Sequence, residues 1–190
     1  MAGLRVIGGE AGGRRLHSPE LPGLRPTSDR VREAVFDALE ARGLVEGAAV
    51  LDLFAGTGAL GIEALSRGAA SAVFVESDAR AARVIEQNLE VLGPEAAHRG
   101  RVVRREALGW LALAAPAASF DVALVDPPYR FAEWVHLLEL LAPLTSVAML
   151  EHAEPLDVAP QFEAIRLYRH GGTLLTLAKA ASPPGATVAR

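Results

Sequence analysis

From residue 48 onward the chain alternates short apolar runs with stretches of helical periodicity, and that alternation restricts the possible folds more than any single motif does. The apolar runs are "AVLDLF", "SAVFVE", "RVVR", "FDVALV" and "SVAMLE". Between them, apolar residues at helical spacing predict helices over 59–67, 78–92 and 131–141, with a short one near Trp110. Strands that are apolar on both faces and separated by helices need a mostly parallel sheet covered on both sides. Farther on, "AIRLYRH" and "TLLTLAK" flank Gly171 and Gly172, which predicts an antiparallel hairpin finishing the sheet. The expected class is α/β, and ligands of such sheets bind beyond the carboxyl ends of the strands.

The residues ahead of this core have a different charge. Up to residue 32 there are six arginines (Arg5, Arg14, Arg15, Arg25, Arg30, Arg32) against Glu10, Glu20 and Asp29, a balance of +3. The whole chain carries -4, so the remainder carries -7. Such asymmetry predicts a basic arm for an anionic partner. Within it, "LRVIGGEAGGRRLHSP" places two strand-like pieces around Gly-rich turns, as in a β-hairpin. "RPTSDRVREAVFDALEARG" then predicts a helix, with Thr27, Ser28 and Asp29 as candidate caps, Val31, Ala34, Val35, Ala38 and Leu39 on its apolar face, and Gly43 as its stop. The expected organisation is an arm and helix over 1–43, a core over 44–181 and a frayed tail over 182–190. A length of 190 residues with 51% hydrophobic content suits one compact core with this appendage. Cysteine is absent and the five histidines show no paired ligand spacing, so neither a disulfide framework nor a metal site is expected. Without an apolar run of membrane-spanning length or a secretory h-region, a soluble, cytoplasmic protein is expected.

The acids that punctuate the strand ends carry the chemistry. The first strand ends "LDLFAGTGALG", where Gly56, Gly58 and Gly61 match G-x-G-x-x-G, the dinucleotide fingerprint. Asp52 stands just ahead of those glycines. A carboxylate there repels a diphosphate but pairs with the ammonium of a methionine-like amino acid. S-adenosylmethionine has that ammonium and no phosphate. Glu76 ends the second strand, where an acceptor can take both hydroxyls of a ribose, a need shared with NAD. After the third strand Glu106 stands where a carboxylate can accept from an adenine amino group; Arg104 and Arg105 are its alternative partners in an ion pair.

The fourth strand ends "FDVALVDPPYRF". An exocyclic amine on a nucleobase is a poor nucleophile because its lone pair is delocalised into the ring. A site that methylates one must draw the nitrogen towards tetrahedral geometry and hold it in line with the methyl donor. Asp126 can accept one N–H and the Pro127 carbonyl the other. Pro127 and Pro128 fix φ and keep the segment extended. Tyr129 offers a face for a flipped base, a contact worth about 1–3 kcal/mol.

These segments resemble the class I S-adenosylmethionine-dependent amino methyltransferases, and within them the bacterial 16S rRNA guanine-N2 methyltransferase family, RsmD. The match is carried by "RVIGGEAGGRRLHSP", "GLRPTSDRVREAVFDAL", "VLDLFAGTGALGIEALSRGA", "VESD" and "VDPPYR", and it is loose beyond Arg130. The resemblance implies a seven-stranded, Rossmann-like, mostly parallel sheet with an antiparallel C-terminal hairpin and an N-terminal β-hairpin. It implies S-adenosylmethionine as methyl donor, S-adenosylhomocysteine as product and no metal. Its implied substrate is one guanine of 16S rRNA, guanine 966 in the family, within the 30S subunit or an assembly intermediate, and a monomer is expected to act on it. Carried onto matching positions, Asp52, Phe54, Gly56 and Gly58 form the cofactor loop, Glu76 holds the ribose, and Asp126, Pro127 and Tyr129 form the amino-group site. Arg25, Pro26, Thr27, Arg30 and Arg32 line the active-site mouth and RNA path, while Arg5, Arg14 and Arg15 in the hairpin touch RNA. Where Glu106 stands the family often has asparagine, and "GGEAGG" lacks basic residues frequent in that turn.

Other readings fit less of the chain. A DNA, or other RNA, adenine or cytosine amino methyltransferase would use the same DPPY segment, but no separate target-recognition domain is present. A protein-glutamine methyltransferase would more typically carry asparagine at position 126. An NAD-dependent oxidoreductase explains the glycines and leaves Asp52 and DPPY without a role. A non-catalytic RNA-binding module explains the arm alone.

Overall fold

The computed structural model describes residues 3–18, 27–114 and 119–182. Its centre is a seven-stranded sheet built from β1 (Ala49–Leu53), β2 (Ser71–Glu76), β3 (Gly100–Arg104), β4 (Phe120–Val125), β5 (Thr145–His152), β6 (Phe162–His170) and β7 (Thr173–Ala180), in the order β3-β2-β1-β4-β5-β7-β6. The first five strands run parallel, and β7 is antiparallel to both β5 and β6. The expected hairpin is therefore present, turning at Gly171 with φ +61°. It folds back so that the later strand lies inside and β6 forms the edge, with residues 163–167 exposed.

Six helices cover the sheet among the described residues: α1 (Asp29–Glu40), α2 (Ala59–Ser66), α3 (Ala79–Val91), α4 (Pro94–His98), α5 (Ala107–Ala114) and α6 (Trp134–Leu141). Of the three candidate caps of α1, Ser28 takes the position and accepts from Val31 N–H. Asp78 caps α3 by accepting from Arg80 and Ala81, and the Arg80 guanidinium holds its carboxyl well below the usual carboxylate range. Helix α6 starts three residues later than its apolar spacing suggests. The Phe131 N–H is taken by the Pro128 carbonyl in a turn at 2.8 Å, so the chain leaves DPPY before it can enter the helix. One apolar layer joins Val6 and Leu16 of the arm, Val35 and Phe36 of α1, Ile62 and Leu65 of α2, Ile85 of α3 and Leu124 of the sheet. The other packs α5 and α6 against the opposite face through Leu111, Leu137 and Leu141. No described helix is long and apolar enough to cross a membrane.

The expected β-hairpin is reduced to a single antiparallel bridge, Arg5 to Arg15, with Val6 N–H donating to the Arg14 carbonyl and Leu16 N–H to the Leu4 carbonyl. It is docked, through polar groups that α2 buries for the purpose. Both oxygens of Glu63, a fully buried side chain, accept from Ile7 N–H (2.8 Å) and Gly8 N–H (2.7 Å). The Ser66 hydroxyl accepts from Ala11 N–H and donates to the Gly8 carbonyl. Gly9, at φ +74°, lies so close to α2 that a Cβ there would stand 1.9 Å from the Ser66 carbonyl oxygen. Glycine is required at that point on both counts.

Candidate active site

The carboxyl ends of β1, β2 and β4 converge because those strands are adjacent and in register, Leu53 beside Val75 on one side and Val125 on the other. Just past β1 the chain reverses through Phe54, Gly56 and Gly58, with φ of 59°, 57° and 76°. Positive φ suits the two glycines and is uncommon for phenylalanine. Phe54 is held there by an edge-to-face contact with Phe131, centroids 5.2 Å apart. The loop is fastened on two sides: Ala55 N–H donates to the Val75 carbonyl, and Gly56 N–H to Glu76 Oε2 at 2.8 Å. Glu76 thus anchors the loop with one oxygen and takes Asp78 N–H with the other.

Asp52 is buried at the end of β1 and accepts from Gly61 N–H in the first turn of α2 at 2.8 Å. Desolvation raises its pKa well above the ordinary carboxylate value, and the charges of Asp126 and Glu76 push in the same direction. The half-buried Asp126 follows β4, and its pKa is likewise raised by burial, while a hydrogen bond from the Thr27 hydroxyl lowers it. Thr27 Oγ1 donates to Asp126 Oδ2 at 2.5 Å. Thr27, expected at the mouth of the site, sits directly on the DPPY carboxylate. Tyr129 stands out from the same segment with 82% of its surface exposed, and Pro128 beside it is exposed too. None of Asp52, Glu76 and Asp126 has an ion-pair partner among the described residues. No group of three or more His, Cys, Asp or Glu among the described residues is arranged to hold a metal ion.

Two expected site residues make bonds that their sequence positions did not indicate. Arg32 is fully buried, its Nη2 donating to the Arg5 carbonyl and to Asp29 Oδ1, so it braces the arm against α1 instead of facing RNA. Glu106 caps α5, accepting from Leu108 N–H at 3.0 Å and Gly109 N–H at 2.7 Å; no ion pair joins it to Arg104 or Arg105. Its carboxylate turns to its own helix because the orphan N–H groups of the first turn lie within reach. Of the arm's cations, Arg15 is exposed, Arg5 pairs with Asp29 at 3.4 Å, and Arg14 donates to the Val91 carbonyl at 2.7 Å. Arg30 is exposed in the first turn of α1. Arg25 and Pro26 lie outside the described residues. Sequence reasoning missed the aromatic wall behind DPPY, where Phe131, Trp134 and His152 follow one another at 5.4 and 6.2 Å. Burial lowers the pKa of His152, which bonds the Glu154 carbonyl and the Thr176 hydroxyl. The sequence signal was available: Phe131 and Trp134 immediately follow the motif.

The family model described as "Conserved hypothetical protein 95" matches residues 4–179. The Escherichia coli K12 protein named ribosomal RNA small subunit methyltransferase D is 43% identical over 139 residues, covering 72% of this chain and 67% of that protein. The chain belongs to the RsmD family. The solved Escherichia coli protein yhhF matches this RsmD-family chain with a TM-score of 0.80 and 34% identity, over 94% of this chain and 98% of that one. A hypothetical protein of Thermus thermophilus matches with a TM-score of 0.78 and 34% identity, over 93% and 99%. The RsmD-family fold is that of the class I methyltransferases, with the antiparallel C-terminal pair expected from the sequence.

Proposed function

We propose that this RsmD-family methyltransferase transfers a methyl group from S-adenosylmethionine to the exocyclic N2 amino group of a guanine in 16S rRNA, guanine 966 by family resemblance, in the 30S subunit or an assembly intermediate. The observation that carries the cofactor reading is the set of three carboxylates, Asp52, Glu76 and Asp126, that gather at adjacent strand ends with no ion-pair partner among the described residues. A site so anionic repels a diphosphate and attracts a ligand with an ammonium and a sulfonium. The two left-handed glycines let the loop turn sharply at the end of β1, beside these carboxylates. Bound S-adenosylmethionine supplies an electrophilic methyl group.

The rest of the reaction belongs to the chain's own residues. Tyr129 offers its exposed ring to the flipped guanine. Asp126, already positioned by Thr27, accepts one N–H of the amino group, and the Pro127 carbonyl accepts the other. With the donor bound, these two acceptors would hold the amine lone pair in line with the methyl group, and Asp126 or water would take the proton that the amine gives up on transfer. Positioning and charge stabilisation carry most of the step. The name of the Escherichia coli relative supports rRNA as the substrate class.

The test is methyl transfer from labelled S-adenosylmethionine into 30S subunits and into naked 16S rRNA from a strain lacking the modification, followed by digestion to nucleosides. Label in N2-methylguanosine from one position is expected. Label in methyladenosine or methylcytidine would keep the chemistry and overturn the target. Absence of label from both RNAs would overturn the rRNA reading.

A further inference from the structure

Asn88 lies in the middle of α3 on a face otherwise made of Ala81, Ala82, Val84, Ile85 and Leu89, and it is fully buried. An apolar residue would pack there without the cost of desolvating an amide. Its hydrogen bonds all leave the helix. Oδ1 accepts from His17 N–H at 2.6 Å, and Nδ2 donates to the His17 carbonyl at 3.0 Å and to the Thr57 carbonyl at 2.9 Å. Towards His17 the amide imitates a strand partner, pairing both backbone groups at the end of the arm. Towards Thr57 it grips the loop between its two left-handed glycines, where no ladder partner is available. Ile85, three residues earlier on α3, supports the same place: a Cβ on Gly58 would stand 3.0 Å from Ile85 Cγ2.

We propose that Asn88 is a positioning residue for the cofactor loop, the point at which the docked arm fixes the backbone at Thr57. The inference rests on the reading that residues 52–58 receive S-adenosylmethionine. The arm's other anchors strengthen it. Glu63 and Ser66 tie residues 7–11 to α2, whose N-cap is Gly58 and whose Gly61 N–H is held by Asp52. Arm, α2, α3 and loop therefore form one hydrogen-bonded body. An undocked arm removes the two His17 bonds that orient the Asn88 amide at the Thr57 carbonyl, and the loop must then be ordered when the cofactor binds.

The experiment is calorimetric titration of the full chain with S-adenosylhomocysteine, alongside steady-state methylation of 16S rRNA. Asn88→Ala is expected to raise the Kd about tenfold, the scale of one buried hydrogen bond lost. At saturating S-adenosylmethionine, kcat should stay within about twofold and KM for RNA should not move. A lower Tm with unchanged Kd would make Asn88 purely structural and overturn the proposal, as would a fall in kcat matching the loss of affinity. Gly9→Ala keeps the proposal testable should Asn88→Ala not fold, since it pushes the arm off α2 and removes no buried side-chain bond. It is expected to weaken S-adenosylhomocysteine binding while the Ile7 and Gly8 amides lose protection from hydrogen exchange. Exposed amides with intact affinity would overturn the inference. Wild-type protein that binds no S-adenosylhomocysteine would instead overturn the cofactor reading beneath it.

Discussion

At Asp52 function and stability pull in opposite directions. Its carboxyl is buried beside two other acids, and its raised pKa means that the folded chain holds the proton more tightly than the unfolded one. The associated stability is complete below the ordinary carboxylate range and is lost as pH climbs through the raised value. Asp52→Asn keeps an oxygen for the Gly61 N–H and removes the charge. We expect it to melt above the wild type at neutral pH, by about 2–4 °C for each kcal/mol relieved, with the gap closing below roughly pH 4. Its affinity for S-adenosylhomocysteine should fall at least about tenfold, as one charged hydrogen bond is lost. Differential calorimetry across pH checks the first part, and a pH-independent gap would remove Asp52 as the origin of the strain. Asp126 has a local remedy for the same burial, the Thr27 hydroxyl. Thr27→Val removes a bond that favours the carboxylate, so the Asp126 pKa should rise further. The acidic limb of the kcat/KM profile should move to higher pH; a limb that stays in place would show that Asp126 is not the group it reports.

Among the elements, the contact between the arm and α2 is the most exposed to a single change. Glu63 satisfies two backbone N–H groups and pairs with Arg67 at 2.8 Å. Glu63→Ala leaves both N–H groups without their acceptor and Arg67 with Glu40 alone, a loss of about 3 kcal/mol, or roughly 10 °C in Tm. Hydrogen exchange should show Ile7, Gly8 and Ala11 exposed while β1 and β4 remain protected; uniform loss of protection would mean that the arm is not a separate opening unit. The strands were legible because short, mostly apolar runs alternate with stretches of helical spacing, and β2 and β4 have the bounds read from "SAVFVE" and "FDVALV". The burial of Arg32 was missed although its signal was present: Arg32, Phe36 and Leu39 recur at i, i+4 and i+7, a stripe that α1 buries completely. Charge hid the pattern, because an arginine within a basic arm reads as a surface cation. The cap made by Glu106 and the amide bridge made by Asn88 had no such signal. Each depends on which backbone groups the tertiary fold leaves unpaired, and one-dimensional spacing does not encode that.

Over the whole molecule, charge and topology assign different tasks to the two ends of the chain. The net charge of -4 argues against indiscriminate attraction to RNA, so cations must act locally. Arg14→Ala with Arg15→Ala should weaken binding to 16S rRNA fragments and reduce the slope of log K against log salt by about 0.7–0.9 for each phosphate no longer neutralised. Salt titration of binding checks this, and an unchanged slope would take the arm out of the RNA path. At the other end, β7 lies between β5 and β6 although it follows both in the chain. A ribosome therefore delivers β6 before the strand it must pair with exists. Until residues 173–180 emerge, one edge of β5 stays uncovered and β6 has no strand to pair with. β7 is the keystone of this sheet, set last, and a nascent chain stopped short of it would present both open edges to other chains.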